Sequence, residues 1–61
     1  MKWTTRADGL EYAEHGGHWL RLRHVPTGLL ISRLHATGWL FVAGDVRREV
    51  AISKARVILN G

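Results

Sequence analysis

The sequence predicts an α+β domain, a three- to four-stranded antiparallel meander followed by one C-terminal helix packed on one face. Three observations carry this. The breaks His15-Gly16-Gly17, Pro26-Thr27-Gly28 and Ala36-Thr37-Gly38 each end in glycine and recur every 10 or 11 residues. The segments between them are of strand length and bounded by turn residues. After the last strand the apolar spacing changes to that of a helix.

Each break reads as a three-residue hairpin loop. Such a loop is a type I turn followed by a left-handed residue, where glycine carries no Cβ penalty. Pro26 presets the φ that a type I turn needs at its first loop position. The strands then run over about 10–14, 18–25, 29–35 and 39–43.

These loops imply a register. Closing Val25 onto Leu29 pairs Arg23 with Ile31, Arg21 with Arg33 and Leu20 with Leu34. Closing Glu14 onto His18 pairs Tyr12 with Leu20 and Glu11 with Arg21. One face then carries Leu10, Tyr12, Leu20, Leu22, Leu30 and Leu34, the other Glu11, Trp19, Arg21, Arg23, Arg33 and His35. A two-residue Gly16-Gly17 loop would place Glu11 on the apolar face beside Leu22. A one-residue slip turns a whole strand over, so the burial pattern selects the three-residue loop. The same closure at the third break pairs His35 with Trp39 and Arg33 with Phe41. Here "WLFV" is apolar on both faces and periodicity does not choose.

The tail "GDVRREVAISKARVILNG" supplies the cover for the apolar face. Ile52, Ala55, Ile58 and Leu59 form a narrow stripe at helical spacing, and Asn60-Gly61 is a helix stop. Two starts compete. Asp45 as a cap would begin the helix at Val46 and leave Val46, Val50 and Val57 as a second stripe. Alternatively "VRREV" stays extended as an edge strand and the helix spans about 51–59. The later start is preferred, because so small a sheet covers only one narrow stripe. Residues 1–8 stay loose or add a short strand, and 1–61 forms a single domain.

Composition narrows the function. The 61 residues are 46% hydrophobic and 23% charged, as expected of a globular domain rather than a disordered tail. A chain this short buries only about 60% of its unfolded surface. With no cysteine, disulfides and thiolate metal sites are excluded, which favours oligomerisation or a partner as the extra source of stability. "MKWTTRADG" lacks the apolar segment of a signal peptide, and "WLFVA" falls far short of the roughly 20 residues of a membrane span. A cytoplasmic protein without membrane contact is the expectation.

Seven of the nine basic residues are arginine, the net charge is +4 and the isoelectric point is near 10.8. Such a balance suits phosphates or an acidic partner surface, although a charge of about 2–8 is also ordinary for a soluble small domain. The derived sheet face concentrates this charge. Arg21, Arg23 and Arg33 share it with Trp19 and His35, and with Trp39 and Phe41 if the last register holds. Arginine among aromatics suits nucleic acid, through groove edges and phosphates or through stacked single-strand bases. It equally suits a protein interface, with Trp19, Trp39 and Phe41 as anchors. The competing explanations are structural: arginine stems splayed over apolar surface, or an N-terminal segment folded over the aromatics with Trp3 as the plug.

Metal and catalysis find little to build on. His15-x-x-His18 straddles a flexible Gly-Gly turn, without cysteine or an evident carboxylate behind it. No nucleophile–base pair, phosphate loop or paired acid is present. The expectation is a non-enzymatic binding protein with no cofactor, no metal and no small-molecule substrate. Its partner is nucleic acid or, alternatively, a host protein or a second copy of the chain.

"GWLFVAG", followed after a spacer by "VAISKARVILNG", resembles the small accessory proteins encoded by phages and prophages of GC-rich actinobacteria. That resemblance implies a Gly-Trp strand, a charged link and a short helix, and it would place the protein in a host cytoplasm. Arg56 stands where such helices often have lysine, and Ala51 where they often have a capping threonine. No functional residue is carried over. A sheet followed by one helix is also similar in architecture to the DNA-binding domains of phage integrases, an analogy that does not assign function.

Overall fold

The computed structural model describes residues 1–60. It is α+β, with a five-stranded antiparallel sheet and one C-terminal helix. The strands are β1 (Thr4–Thr5), β2 (Glu11–His15), β3 (His18–Val25), β4 (Gly28–His35) and β5 (Gly38–Asp45), and the helix is α1 (Arg48–Asn60). The strands lie in sequence order across the sheet. The fifth is β1, in which Thr4 pairs with Tyr12 and Thr5 with Glu11. Residues 1–8 therefore contribute a short strand. No described helix is long and apolar enough to cross a membrane.

All three hairpins close one residue tighter than the sequence predicts. His15 pairs with His18, Val25 with Gly28 and His35 with Gly38. At the first turn Gly16 and Gly17 have φ of 58° and 81°. Two successive positive φ angles are what a type I′ hairpin turn demands, and a Gly-Gly pair meets that demand without strain. Gly28 and Gly38 are not loop residues; each opens the returning strand, with φ of 144° and 122°.

The tighter loops turn β2 and β4 over relative to β3. Glu11 now pairs with Leu22, Ala13 with Leu20, Leu20 with Arg33 and Leu22 with Ile31. The expected cross-strand pair of Arg21 and Arg33 is replaced by Arg21 with Ser32. Leu29 and Ile31 enter the core in place of Leu30 and Leu34, and Leu34 is exposed. The core consists of Leu20, Leu22, Leu29 and Ile31 from the sheet with Ala43, Ala51 and Ala55; Trp3, Val42, Ile52 and Leu59 pack at its margin. Two buried alanines on α1 let the helix backbone approach the sheet closely, as small residues do where elements must pack tightly.

The helix begins at Arg48, earlier than the preferred start, and "VRREV" is not an edge strand. An Asp45 carboxylate oxygen accepts the Arg47 N–H at 3.1 Å, and the Arg47 carbonyl accepts the Ala51 N–H at 3.0 Å. The acidic side chain thus turns the chain and satisfies a donor at the helix entry. The sheet does cover only one stripe. The remaining apolar positions are left bare: Val46, Val57 and Ile58 are all exposed, so Ile58 does not belong to the buried stripe. Gly61, half of the expected helix stop, lies outside the described residues.

Candidate nucleic-acid interface

The register sorts side chains onto two faces. On the face away from α1, β3 presents Trp19, Arg21 and Arg23, because Leu20 and Leu22 alternate with them into the core. Tyr12 joins them as the partner of Arg21. Ser32 and Leu34 lie opposite Phe41 and Trp39, and Arg21 pairs with Ser32. Trp39 and Phe41 therefore share the face of Arg21, as expected, though by a different route. β4 is turned over against β3, and β5 against β4, so the two displacements cancel.

Arg33 and His35 are the corrections. Arg33 pairs with Leu20 and Leu40, and His35 with Gly38, which places both on the helix side of the sheet. Five of the seven residues singled out from the sequence, namely Trp19, Arg21, Arg23, Trp39 and Phe41, form one surface. The other two lie behind it.

Interleaved rings and guanidinium groups build this surface. The Arg6 guanidinium carbon lies 4.2 Å from the Tyr12 ring centroid and 5.3 Å from that of Trp19. Arg21 lies 4.6 Å over Trp39. Tyr12 and Trp39 meet edge to face, their centroids 5.9 Å apart and their planes at 61°. Each cation sits against the electron-rich face of a ring, an attraction worth about 0.5–1 kcal/mol where water has access. A depression lined by Arg6, Tyr12, Trp19, Leu34 and Trp39 opens among them. Trp19 is 42% exposed and Phe41 65%, whereas Trp39 is half-buried. The N-terminal segment does not plug the face with Trp3. That ring packs at the core margin on the other side, near Arg48.

Electrostatics leave the face positive. Among the described residues, ion pairs link Glu11 to Arg48, and Asp45 to Arg47 and Lys54, and His24 Nε2 lies 3.5 Å from the Glu11 carboxylate. Arg6, Arg21 and Arg23 have no carboxylate within ion-pair distance among the described residues. Glu14, the cross-strand partner of Trp19, is the acid on this side of the sheet. At its edge Asp8 accepts the Tyr12 hydroxyl proton and the Leu10 N–H. These bonds hold the Asp8 carboxyl below its usual range, the Tyr12 bond contributing most, and raise the Tyr12 phenol above its own. Tyr12 thus stays a neutral ring fixed in place.

Sequence reasoning missed Arg6 and misplaced Tyr12. Arg6 lies in an irregular segment, closed by hydrogen bonds between its own N–H and carbonyl and those of Leu10 and Gly9, where periodicity carries no signal. Tyr12 was expected in the leucine core. It is buried, but by Arg6 and Trp39 on the other face.

On the helix side His15 and His18 are cross-strand partners, and His15 Nε2 lies 3.2 Å from the Asn60 side-chain oxygen. No group of three or more metal-ligating side chains is gathered among the described residues. Comparison of the chain with family models, curated proteins and solved structures finds no match.

Proposed function

We propose that this chain is a non-enzymatic nucleic-acid-binding domain that uses the open sheet face. One observation carries the proposal: among the described residues Arg6, Arg21 and Arg23 have no carboxylate partner, and they lie on a surface that also exposes Trp19 and Phe41. Guanidinium groups attract phosphates through charge and counterion release. Flat exposed rings add base stacking, worth about 1–3 kcal/mol per base. Arg6 and Arg21 already lie against rings, which reduces the freedom they lose on meeting an anion. The role is cytoplasmic and needs neither cofactor nor small-molecule substrate. With no family match, support for a phage-type accessory role rests on the resemblance of the last strand and helix alone.

The same face offers a second reading as a protein-docking surface. Leu34, 43% exposed, adjoins the rings and carries no charge. Trp19, Trp39 and Phe41 would then be the anchors of a host-protein contact.

Titration of labelled duplex and single-stranded DNA tests the proposal. Binding is expected at about 50 mM salt, with affinity falling steeply as salt rises. Quenching of tryptophan fluorescence by the single strand but not the duplex, diminished in Trp19→Phe, would identify stacking as the mode. Absence of binding to either DNA at low salt overturns the nucleic-acid reading and leaves the protein-docking one.

A further inference from the structure

In a regular strand Trp39, Phe41 and Ala43 would share one face of the sheet. A bulge at Val42 breaks that alternation in β5. Ala43 meets Ile31 in the core, while Phe41 meets Ser32 and Trp39 meets Leu34 on the open side. The bulge thus supplies the core with a small residue and the open face with two rings. Phe41 is left 65% exposed there. Among the described residues it takes part in no ring pair and no ring–cation contact.

Two ring sites result. One is the depression lined by Arg6, Tyr12, Trp19, Leu34 and Trp39. Arg6 already fills the cation position over Tyr12 and Trp19, so the depression suits a neutral flat ring and not a cationic side chain. The other site is Phe41. Arg21 pairs with Ser32, Ser32 pairs with Phe41, and Trp19 precedes Arg21 by two residues on β3. That register sets Trp19 and Phe41 roughly 12 Å apart at the backbone. Arg21 lies between the two sites, its guanidinium carbon 4.6 Å from the Trp39 ring centroid.

We propose, on the basis of the nucleic-acid reading of this face, that its ligand is single-stranded. One base seats in the depression, a second stacks on Phe41, and the phosphate between them meets Arg21.

Shape disfavours a duplex. A double helix keeps its base faces stacked inside and offers only grooves and phosphates. Its major groove is about 12 Å wide and admits a helix or a two-stranded ribbon. Five strands at a spacing of about 4.8 Å make a sheet about 19 Å across, too wide to lay its rings and arginines in the groove together.

Charge points the same way. Charge-driven duplex binders neutralise on the order of 6–10 phosphates. The open face offers Arg6, Arg21 and Arg23, whereas Arg47, Arg48 and Lys54 are engaged by Asp45 and Glu11, and Arg33 lies on the helix side. So few cations need the added attraction of stacking, which a single strand supplies and a duplex does not.

Fluorescence anisotropy tests this with labelled oligothymidylate and oligouridylate of about 12 nucleotides, against a hairpin duplex of DNA. Single strands are expected to bind about tenfold tighter than the duplex at equal salt. The two sugars separate DNA from RNA, and tighter binding of either single strand supports the proposal. Phe41→Ala and Trp19→Ala are each expected to weaken single-strand binding by about five- to 150-fold, with duplex binding nearly unchanged. Phe41→Trp, which keeps a flat ring, is expected to retain it. Phe41 lies outside the core, so F41A keeps the test open even if W19A disturbs the segment around Arg6. Equal affinity for duplex and single strand, or single-strand affinity unchanged by F41A, would overturn the single-strand assignment and leave the nucleic-acid reading standing. Binding to none of the probes would overturn both and leave protein docking.

Discussion

Arg48, in the first turn of α1, holds Glu11 of β2 through two hydrogen bonds of 2.6 and 2.7 Å across a sequence separation of 37 residues. Glu11 lies on the helix side of the sheet beside Leu22, where an unpaired carboxylate would be costly. The bidentate guanidinium removes that cost and ties the helix entry to the far side of the sheet. His24 Nε2 approaches the same carboxylate at 3.5 Å.

The pair makes stability depend on pH. Hydrogen bonding to Arg48 is the main cause that holds the Glu11 carboxyl below its ordinary value of 4.5, and burial opposes it only in part. A depressed carboxylate contributes stability that is complete above the unfolded value and is lost as pH falls through the lower folded one. Unfolding free energy should therefore decline as the pH is lowered from about 4.5, and Glu11→Gln should flatten that decline. The Arg48 side chain is 39% exposed. The cost of E11Q at neutral pH is therefore set at about 1–2 kcal/mol, between an exposed pair and a buried one. Urea melts of both chains across the acid range measure it.

The same pair explains why the hairpin register was illegible. The two-residue Gly16-Gly17 turn sends Glu11 into the apolar face, which burial alone disfavours, and no reading confined to the sheet strands reveals that Arg48 waits there. Arg48 itself belonged, on that reading, to an extended segment. What the sequence did reveal follows from chemistry local to each element. Glycine-ended breaks marked the hairpins, alternation in "HWLRLRHV" separated leucine from arginine within β3, and the final stripe marked a helix. Relations between strands depend on loop length to a single residue, and that was settled by a contact from another element.

Core substitutions separate the two registers. Ile31 is fully buried, so Ile31→Ala should cost about 2–5 kcal/mol. Total stability for this length is about 3–9 kcal/mol, so the variant should be largely unfolded at moderate urea. Leu34→Ala should cost about 1 kcal/mol or less, since Leu34 is 43% exposed on the opposite face. Equal losses at the two positions would contradict the observed register.

Gly28 marks where the β5–α1 turn crosses β4. A Cβ there would lie 2.8 Å from the Asp45 carbonyl oxygen and 3.1 Å from the Val46 Cα, at a φ of +144°. Both the contact and the backbone angle exclude a side chain without a shift of the turn. Gly28→Ala should destabilise by about 2–3 kcal/mol. Gly38→Ala has open space around its Cβ, with backbone strain at φ +122° alone, and should cost less. Thermal melts of the two variants give the comparison directly.

Arg21 and Arg33 provide the sharpest check on which face binds. Both arginines are half-buried, each has a shielded Nε without a hydrogen-bond partner, and the sequence alone pairs them across a turn. The observed register separates them, with Arg21 over Trp39 on the open face and Arg33 beside Leu20 on the helix side. If DNA docks on the open face, Arg21→Ala should lower the dependence of log affinity on log salt by about 1, the share of one phosphate contact. Arg33→Ala should leave that slope unchanged, although it weakens affinity slightly through the net charge. Circular dichroism of both variants separates binding from folding. A slope lowered by R33A and not by R21A would move the contact to the helix side and displace the open face as the binding surface.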